Sequence, residues 1–146
     1  MVERTGGCAC GAVRYRATAS PFWTAHCHCR SCRKVTGAAM ASFLGYAKAA
    51  VTWQGQRRFR ASSPGTTRGF CGECGTPLSY MSTRWPGEVH LYAATLDDPT
   101  LFEAEAHVHW AERVPWLTIA DDLPKHPGRG PSDLASLRGP AKGDAS

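Results

Sequence analysis

At 146 residues the chain has the size of one domain with a modest core, and 42% of its residues are hydrophobic. No apolar run approaches the roughly 20 residues of a membrane-spanning helix, and Met1 to Gly7 lack the apolar stretch of a secretory signal, so neither a membrane span nor export is expected. The net charge of +5 is uneven: residues 1–74 carry 11 Lys/Arg against 2 acidic residues (+9), and residues 75–146 carry 6 against 10 (−4), so an anionic ligand would be drawn to the first half.

In chain order, Ala12 to Ala17 alternates apolar and basic residues, which predicts a half-buried strand. Cys29 to Thr36 is the stretch able to form a helical turn, ended by Gly37. Met40–Leu44 and Val51–Trp53 read as short strands, and Arg57-Arg58-Phe59-Arg60 as a solvent-facing one. Glu88 to Ala94 alternates again. So does Leu101 to Trp110, with Phe102, Ala104, Ala106, Val108 and Trp110 on one side and Glu103, Glu105, His107 and His109 on the polar side. The pattern is mainly β. A domain over residues 1–124 is expected, followed by a flexible Gly/Pro-rich tail over 125–146 with one short turn around Leu134 to Leu137.

The seven cysteines form three clusters: Cys8-x-Cys10, Cys27-x-Cys29-x2-Cys32 and Cys71-x2-Cys74. Such close spacing suits metal chelation, whereas a disulfide framework spreads its cysteines and pairs an even number of them. Without an export signal, seven reduced thiols point to the cytosol. Cys8, Cys10, Cys71 and Cys74, flanked by glycines that let the backbone turn tightly and aim N–H groups at sulfur, add up to a closed four-thiolate site. Buried, unmetallated thiols are the plainer alternative. Cys27, Cys29 and Cys32 make a three-thiolate site with one position open, beside Arg30, Arg33 and Lys34. For zinc, four protein ligands are the structural habit and three plus an exchangeable one the catalytic habit. The triplet could instead be a second structural site completed by a histidine from elsewhere. His26 and His28 alternate with the cysteines, so they are expected to point away from the metal, behind the ligands or at the surface.

Gly-Gly-Cys-Ala-Cys-Gly-Ala-Val-Arg-Tyr from Gly6, Cys-His-Cys-Arg-Ser-Cys-Arg-Lys-Val-Thr-Gly-Ala from Cys27, Phe-Cys-Gly-Glu-Cys-Gly-Thr-Pro-Leu from Phe70, Leu-Asp-Asp-Pro from Leu96, and Trp116 followed by Asp121-Asp122-Leu123-Pro124 resemble the glutathione-dependent formaldehyde-activating enzymes, a family that also includes centromere-protein-V-like members. Ala94-Thr95 stands where many relatives have Gly-Ser. The resemblance implies a β-tent of packed antiparallel sheets, a structural zinc on Cys8, Cys10, Cys71 and Cys74, and a second, reactive zinc on Cys27, Cys29 and Cys32; because exposed thiolates oxidise readily, this second zinc is expected to be labile. It also implies carbon–sulfur lyase chemistry, the condensation of formaldehyde with glutathione to S-(hydroxymethyl)glutathione.

Two functional readings follow. In the first, the Cys27/Cys29/Cys32 zinc deprotonates a small-molecule thiol such as glutathione that attacks, or leaves, a small carbonyl carbon. Arg57, Arg58, Arg60 and Arg68 are then candidates for holding the anion, and His107 and His109 for moving protons. In the second, a zinc-stabilised module without turnover binds nucleic acid or an acidic partner through arginines interleaved with Tyr46, Trp53, Phe59 and Phe70. The moderate pI of about 9.0 and the lack of a dense Lys/Arg run weigh against nucleic acid. Thiol–disulfide redox at the triplet is a third reading. No membrane partner is expected, and a homodimer is allowed for.

Overall fold

A computed structural model describes residues 2–129 of the chain. It contains ten strands and one α-helix: β1 (Arg4–Gly7), β2 (Arg14–Ala17), β3 (Trp23–Cys27), α1 (Arg30–Thr36), β4 (Ala41–Ala47), β5 (Val51–Gln54), β6 (Arg57–Ser63), β7 (Thr66–Cys71), β8 (Pro77–Ser82), β9 (Glu88–Tyr92) and β10 (His107–Val108). The mainly β expectation is borne out. Three strands form a small sheet in the order β1-β2-β5, and seven form a large one in the order β10-β3-β4-β9-β8-β7-β6. Neighbouring strands are antiparallel except β10, which runs parallel to β3.

Strand alternation sorts the side chains of the large sheet into two apolar clusters. Leu44, Tyr46, Val89 and Leu91 point one way and pack with Val13, Tyr15, Ala17 and Val51 of the small-sheet region. Trp23, Ala25, Cys27, Phe43, Tyr92 and Val108 point the other way into a second cluster beneath α1. Both faces of the central strands are therefore covered. This is why β9 is buried at every residue although its sequence alternates. It also explains why β3, buried at four of its five positions, shows no readable period. β6 is an edge strand and mostly exposed, as its run of arginines predicts.

The long strand expected over Leu101 to Trp110 is largely absent. Pro99–Leu101 forms a 3-10 turn, the ladder lasts only for His107–Val108, and a second 3-10 turn takes Trp110–Glu112. The intervening chain lies alongside β3 without a regular register, with the Glu105 N–H donated to Thr24 O at 3.2 Å and the His26 N–H to Ala106 O at 2.9 Å. The chain around Lys125 then closes over the other side of β10. His126 N–H donates to His107 O at 2.9 Å and His107 N–H to Pro124 O at 2.9 Å, while His109 N–H reaches Gly128 O at 2.6 Å. The turn expected at Leu134 to Leu137, like all of 130–146, lies outside the described residues.

Candidate functional site

The two cysteine pairs meet. Cys8 and Cys10 follow β1, Cys71 ends β7, and Cys74 lies in the turn into β8. The four Sγ atoms lie within 4.8 Å of one another, with Cys8–Cys10 at 3.6 Å and Cys10–Cys71 at 3.8 Å. A tetrahedral zinc with metal–sulfur bonds of about 2.3 Å holds its sulfurs about 3.8 Å apart, so the donor set fits.

The two loops use the same local devices. Gly11 and Gly75, each directly after the second cysteine, take φ of +84° and +81°, a turn that a side chain would strain. Backbone N–H groups donate to the first sulfur of each pair, Val13 to Cys8 at 3.2 Å and Glu73 to Cys71 at 3.4 Å. Burial alone would raise the Cys8 pKa. The Val13 N–H and the Cys10 and Cys71 thiols outweigh it, leaving Cys8 below the ordinary thiol value. The Thr76 hydroxyl, 3.1 Å from the Cys74 sulfur, helps pull that thiol down to about 5.

Cys27 ends β3, Cys29 caps α1 and Cys32 sits in its first turn, again with all three Sγ atoms within 4.8 Å. The Cys29 sulfur accepts the Cys32 N–H at 3.3 Å, so one atom both caps the helix and joins the cluster. Gly37, at φ +66°, closes the helix by donating its N–H to Arg33 O at 2.8 Å. The Cys27 and Cys32 thiols drive Cys29 well below its usual pKa, and the Cys29 and Cys32 thiols, together with burial, drive Cys27 up. One thiolate forms easily and the next does not, unless a cation joins them.

A cavity of about 320 Å³ opens beside this triplet, lined by Cys27, Cys29 and Cys32. Trp23, Phe43, Tyr80, Trp85 and His90 also line it. Pairing across the large sheet puts Trp23, Gly45, His90, Tyr80 and Arg68 in one row, on the face carrying Cys27. Gly45 is required there, because a Cβ would collide with the Trp23 indole nitrogen. Arg68 is 5% exposed, donates Nη1 to the Tyr92 hydroxyl at 2.6 Å and brings Nη2 within 3.7 Å of the Cys32 sulfur. Its Nε is buried and makes no hydrogen bond to the described residues. Of the four arginines singled out in the sequence, Arg68 alone lines the cavity. Arg57 lies on the opposite face, 3.6 Å over the Trp53 ring with Nη1 donated to Ser79 Oγ at 2.8 Å, and Arg58 and Arg60 are exposed on β6.

His26 and His28 project away from the sulfurs, as alternation predicts, but His28 is buried rather than at the surface. Its Nε2 lies 2.8 Å from His107 Nδ1, and His107 Nε2 lies 2.8 Å from Asp121 Oδ2. Burial, then His107, pushes His28 down to about 4, so it is neutral at pH 7. His107, expected on a polar face, is fully buried because Trp110 and residues 124–126 cover it. His109 lines the cavity and pairs with Glu112 at 3.2 Å.

Sequence reasoning missed the aromatic wall and the buried contact of His90 Nε2 with Glu88 Oε1 at 3.1 Å. The period-two spacing of Glu88, His90 and Tyr92 was the available signal, since it sets all three on one face of β9.

No helix among the described residues is long and apolar enough to cross a membrane. A Halomonas elongata protein whose name assigns it to the glutathione-dependent formaldehyde-activating enzymes is 30% identical over 124 residues, covering 78% of this chain and 79% of its own. The crystal structure of a Rhodobacter sphaeroides protein shares the fold with a TM-score of 0.54 at 24% identity, over 68% of this chain and 96% of that one. Residues 3–112, a span that includes all three cysteine clusters, match the profile described as glutathione-dependent formaldehyde-activating enzyme, and the chain belongs to that family.

Proposed function

We propose that the protein is a zinc-dependent enzyme of the carbon–sulfur lyase type, making or breaking the bond between a thiol sulfur and the carbon of a small carbonyl compound, with glutathione and formaldehyde as the reference pair. One observation carries this reading. Cys27, Cys29 and Cys32 are grouped for one ion in the wall of a cavity, whereas none of the other four cysteines lines it. Three ligands facing a cavity suit a working zinc, and Cys8, Cys10, Cys71 and Cys74 suit a structural one. The name of the Halomonas elongata relative supports the same substrate pair. Cysteines grouped as chelating sets, with all seven free of disulfides, fit a reducing compartment such as the cytosol.

A zinc ion held by the triplet would act as a Lewis acid, lowering the pKa of a thiol in its remaining position. The chain's own residues supply the setting. Arg68 balances part of the negative charge of the sulfurs, and the Cys32 N–H fixes the Cys29 sulfur. The aromatic side chains of Trp23, Phe43, Tyr80 and Trp85 lower the polarity of that wall, which strengthens both effects. In the forward direction a C–S bond forms and the C=O π pair moves to oxygen. The proton lost by the thiol ends on that oxygen, with no change of oxidation state; the reverse reaction undoes each step.

Exchange NMR of formaldehyde with glutathione tests the reading. Zinc-loaded wild-type protein is expected to speed exchange roughly 100-fold over buffer, the low end for one positioned catalytic group. Cys29→Ser is expected to lose the effect. Equal rates for the two proteins would remove this chemistry.

A further inference from the structure

We infer that the carbonyl partner at this site carries an apolar body of aromatic size, as in an arylacetaldehyde, and that formaldehyde would fill only the reacting end. The inference rests on the thiol-activating reading of Cys27, Cys29 and Cys32 and adds the substrate class to it. Volume is the first argument. The cavity measures about 320 Å³, within the range of small-molecule sites. Formaldehyde has two heavy atoms, about the size of two waters, and on a measure where one water needs about 10–15 Å³ it would fill roughly a tenth of this space. Most of the cavity has no use in a reaction of formaldehyde alone.

Wall chemistry is the second argument. Trp23 meets the His90 ring edge-on at 4.6 Å, Tyr80 stacks on His90 at 5.4 Å, and Trp85 stands 5.2 Å from it. Phe43 continues this surface toward Cys27, packed on Tyr92 at 4.6 Å. From Cys27 to Trp23 along β3 is four residues, roughly 13 Å of strand. That length takes a reacting carbon, a methylene and a six-membered ring. Apolar walls reward an occupant that displaces water without needing partners.

Charge decides what the box does not hold. Aromatic boxes can bind ammonium groups, but here Arg68, Arg84 and Arg129 outnumber Glu112, the acidic residue of the lining, and would repel a cation. The peptide part of a glutathione-like thiol, with two carboxylates and an ammonium group, also fits the rings poorly. Its carboxylates suit Arg84 and Arg129, which are exposed at the rim. The thiol therefore enters from the rim and the carbonyl body occupies the box, with the carbonyl carbon toward the sulfurs. The C–S bond forms as described above. Its oxygen, receiving the C=O pair and the thiol's proton, lies toward Arg68, the buried cation of the lining.

Two measurements on the zinc-loaded full chain test this. Exchange NMR compares phenylacetaldehyde with formaldehyde, each with glutathione. Ligand-observed NMR titrates 2-phenylethanol, which has the body without the carbonyl, against methanol. The expected results are an exchange efficiency at least about tenfold higher for phenylacetaldehyde and saturable binding of 2-phenylethanol but not methanol, weakened roughly tenfold in Trp85→Ala. Trp85 lies in the turn between β8 and β9, so its loss spares the sheet; should the variant fail to fold, the two wild-type comparisons decide alone. No saturable binding of 2-phenylethanol, or exchange no faster for phenylacetaldehyde than for formaldehyde, overturns the inference while leaving the thiol chemistry standing. Binding of 2-phenylethanol without exchange of either carbonyl overturns the thiol-activating reading, and the inference with it.

Discussion

Arg68 is a buried guanidinium that has exchanged water for a phenol and a thiol. Burial alone would lower its pKa, but the neighbouring Tyr92 and Cys32 outweigh that and hold it above the ordinary arginine value. It stays charged, and its charge stabilises a thiolate on Cys32. Lysine keeps the charge but not the planar fork that reaches Tyr92 and Cys32 together. Groups that support metal ligands from behind typically govern about 10- to 100-fold in affinity. Arg68→Lys is therefore expected to weaken zinc at Cys27/Cys29/Cys32 by that factor and to leave Cys8/Cys10/Cys71/Cys74 unchanged. Competition with a chromogenic chelator resolves the two classes of zinc. A weaker four-cysteine class, or two unchanged ones, would contradict the role given to Arg68.

At the scale of elements, the β1–β2 hairpin is fastened to the loop after β9 by Asp97. Its carboxylate accepts from Thr5 Oγ1 at 2.8 Å and from Arg14 Nη1 at 2.9 Å, with a second contact to Arg14 Nη2. Asp97 N–H also donates to Thr5 O at 2.9 Å. Gly6 permits this approach, since a Cβ there would strike Thr95 O and the Tyr15 ring. Arg14, then Thr5, hold the Asp97 pKa below the usual carboxylate value. A depressed carboxylate pKa adds stability above the unfolded value, about 3.9, and that stability is lost as pH falls through the folded value. Because the side chains of Arg14 and Asp97 are 39% and 44% exposed, the ion pair is worth at most about 1 kcal/mol. In denaturant titrations, Asp97→Asn is expected to be less stable than wild type by up to that amount at pH 7, with the gap narrowing as pH falls below about 3.9. A gap that does not narrow there would mean the carboxylate charge is not its source. The parts of the fold and site that were legible in the sequence share a local origin. The cysteine partition, the helix between Cys29 and Gly37 and the exposed arginine strand are each written within a few adjacent residues. The cavity is not, because Trp23, Phe43, Tyr80 and His90 come from four strands that only the sheet order brings together. The misreading of Leu101 to Trp110 has a related cause. Alternation distinguishes two faces but does not say what covers them, and here Trp110 and residues 124–126 bury the face that carries His107.

Across the whole molecule, the large sheet separates the two cysteine centres. Cys8 and Cys71 belong to the apolar cluster between the sheets, and Cys27 and Cys32 to the cluster on the opposite face. Zinc at the four-cysteine centre would join the loop after β1 to the end of β7, fastening the small sheet to the large one. Structural zinc supplies on the order of 10 kcal/mol of apparent folding free energy. That is comparable with the whole stability of a small domain, about 5–15 kcal/mol. Cys74→Ser, at an exposed ligand whose loss leaves no cavity in the core, is therefore expected to abolish the cooperative melt and the near-ultraviolet dichroism. The triplet makes no such connection, since β3 and α1 are consecutive and already packed. Serine is also a strong N-cap, so Cys29→Ser preserves the start of the helix. That variant is expected to lose one zinc of two by elemental analysis and to melt within a few degrees of wild type. The roles would have to be exchanged if Cys29→Ser unfolded the protein while Cys74→Ser did not. If neither substitution weakened zinc in competition with a chelator, neither centre would be a metal site.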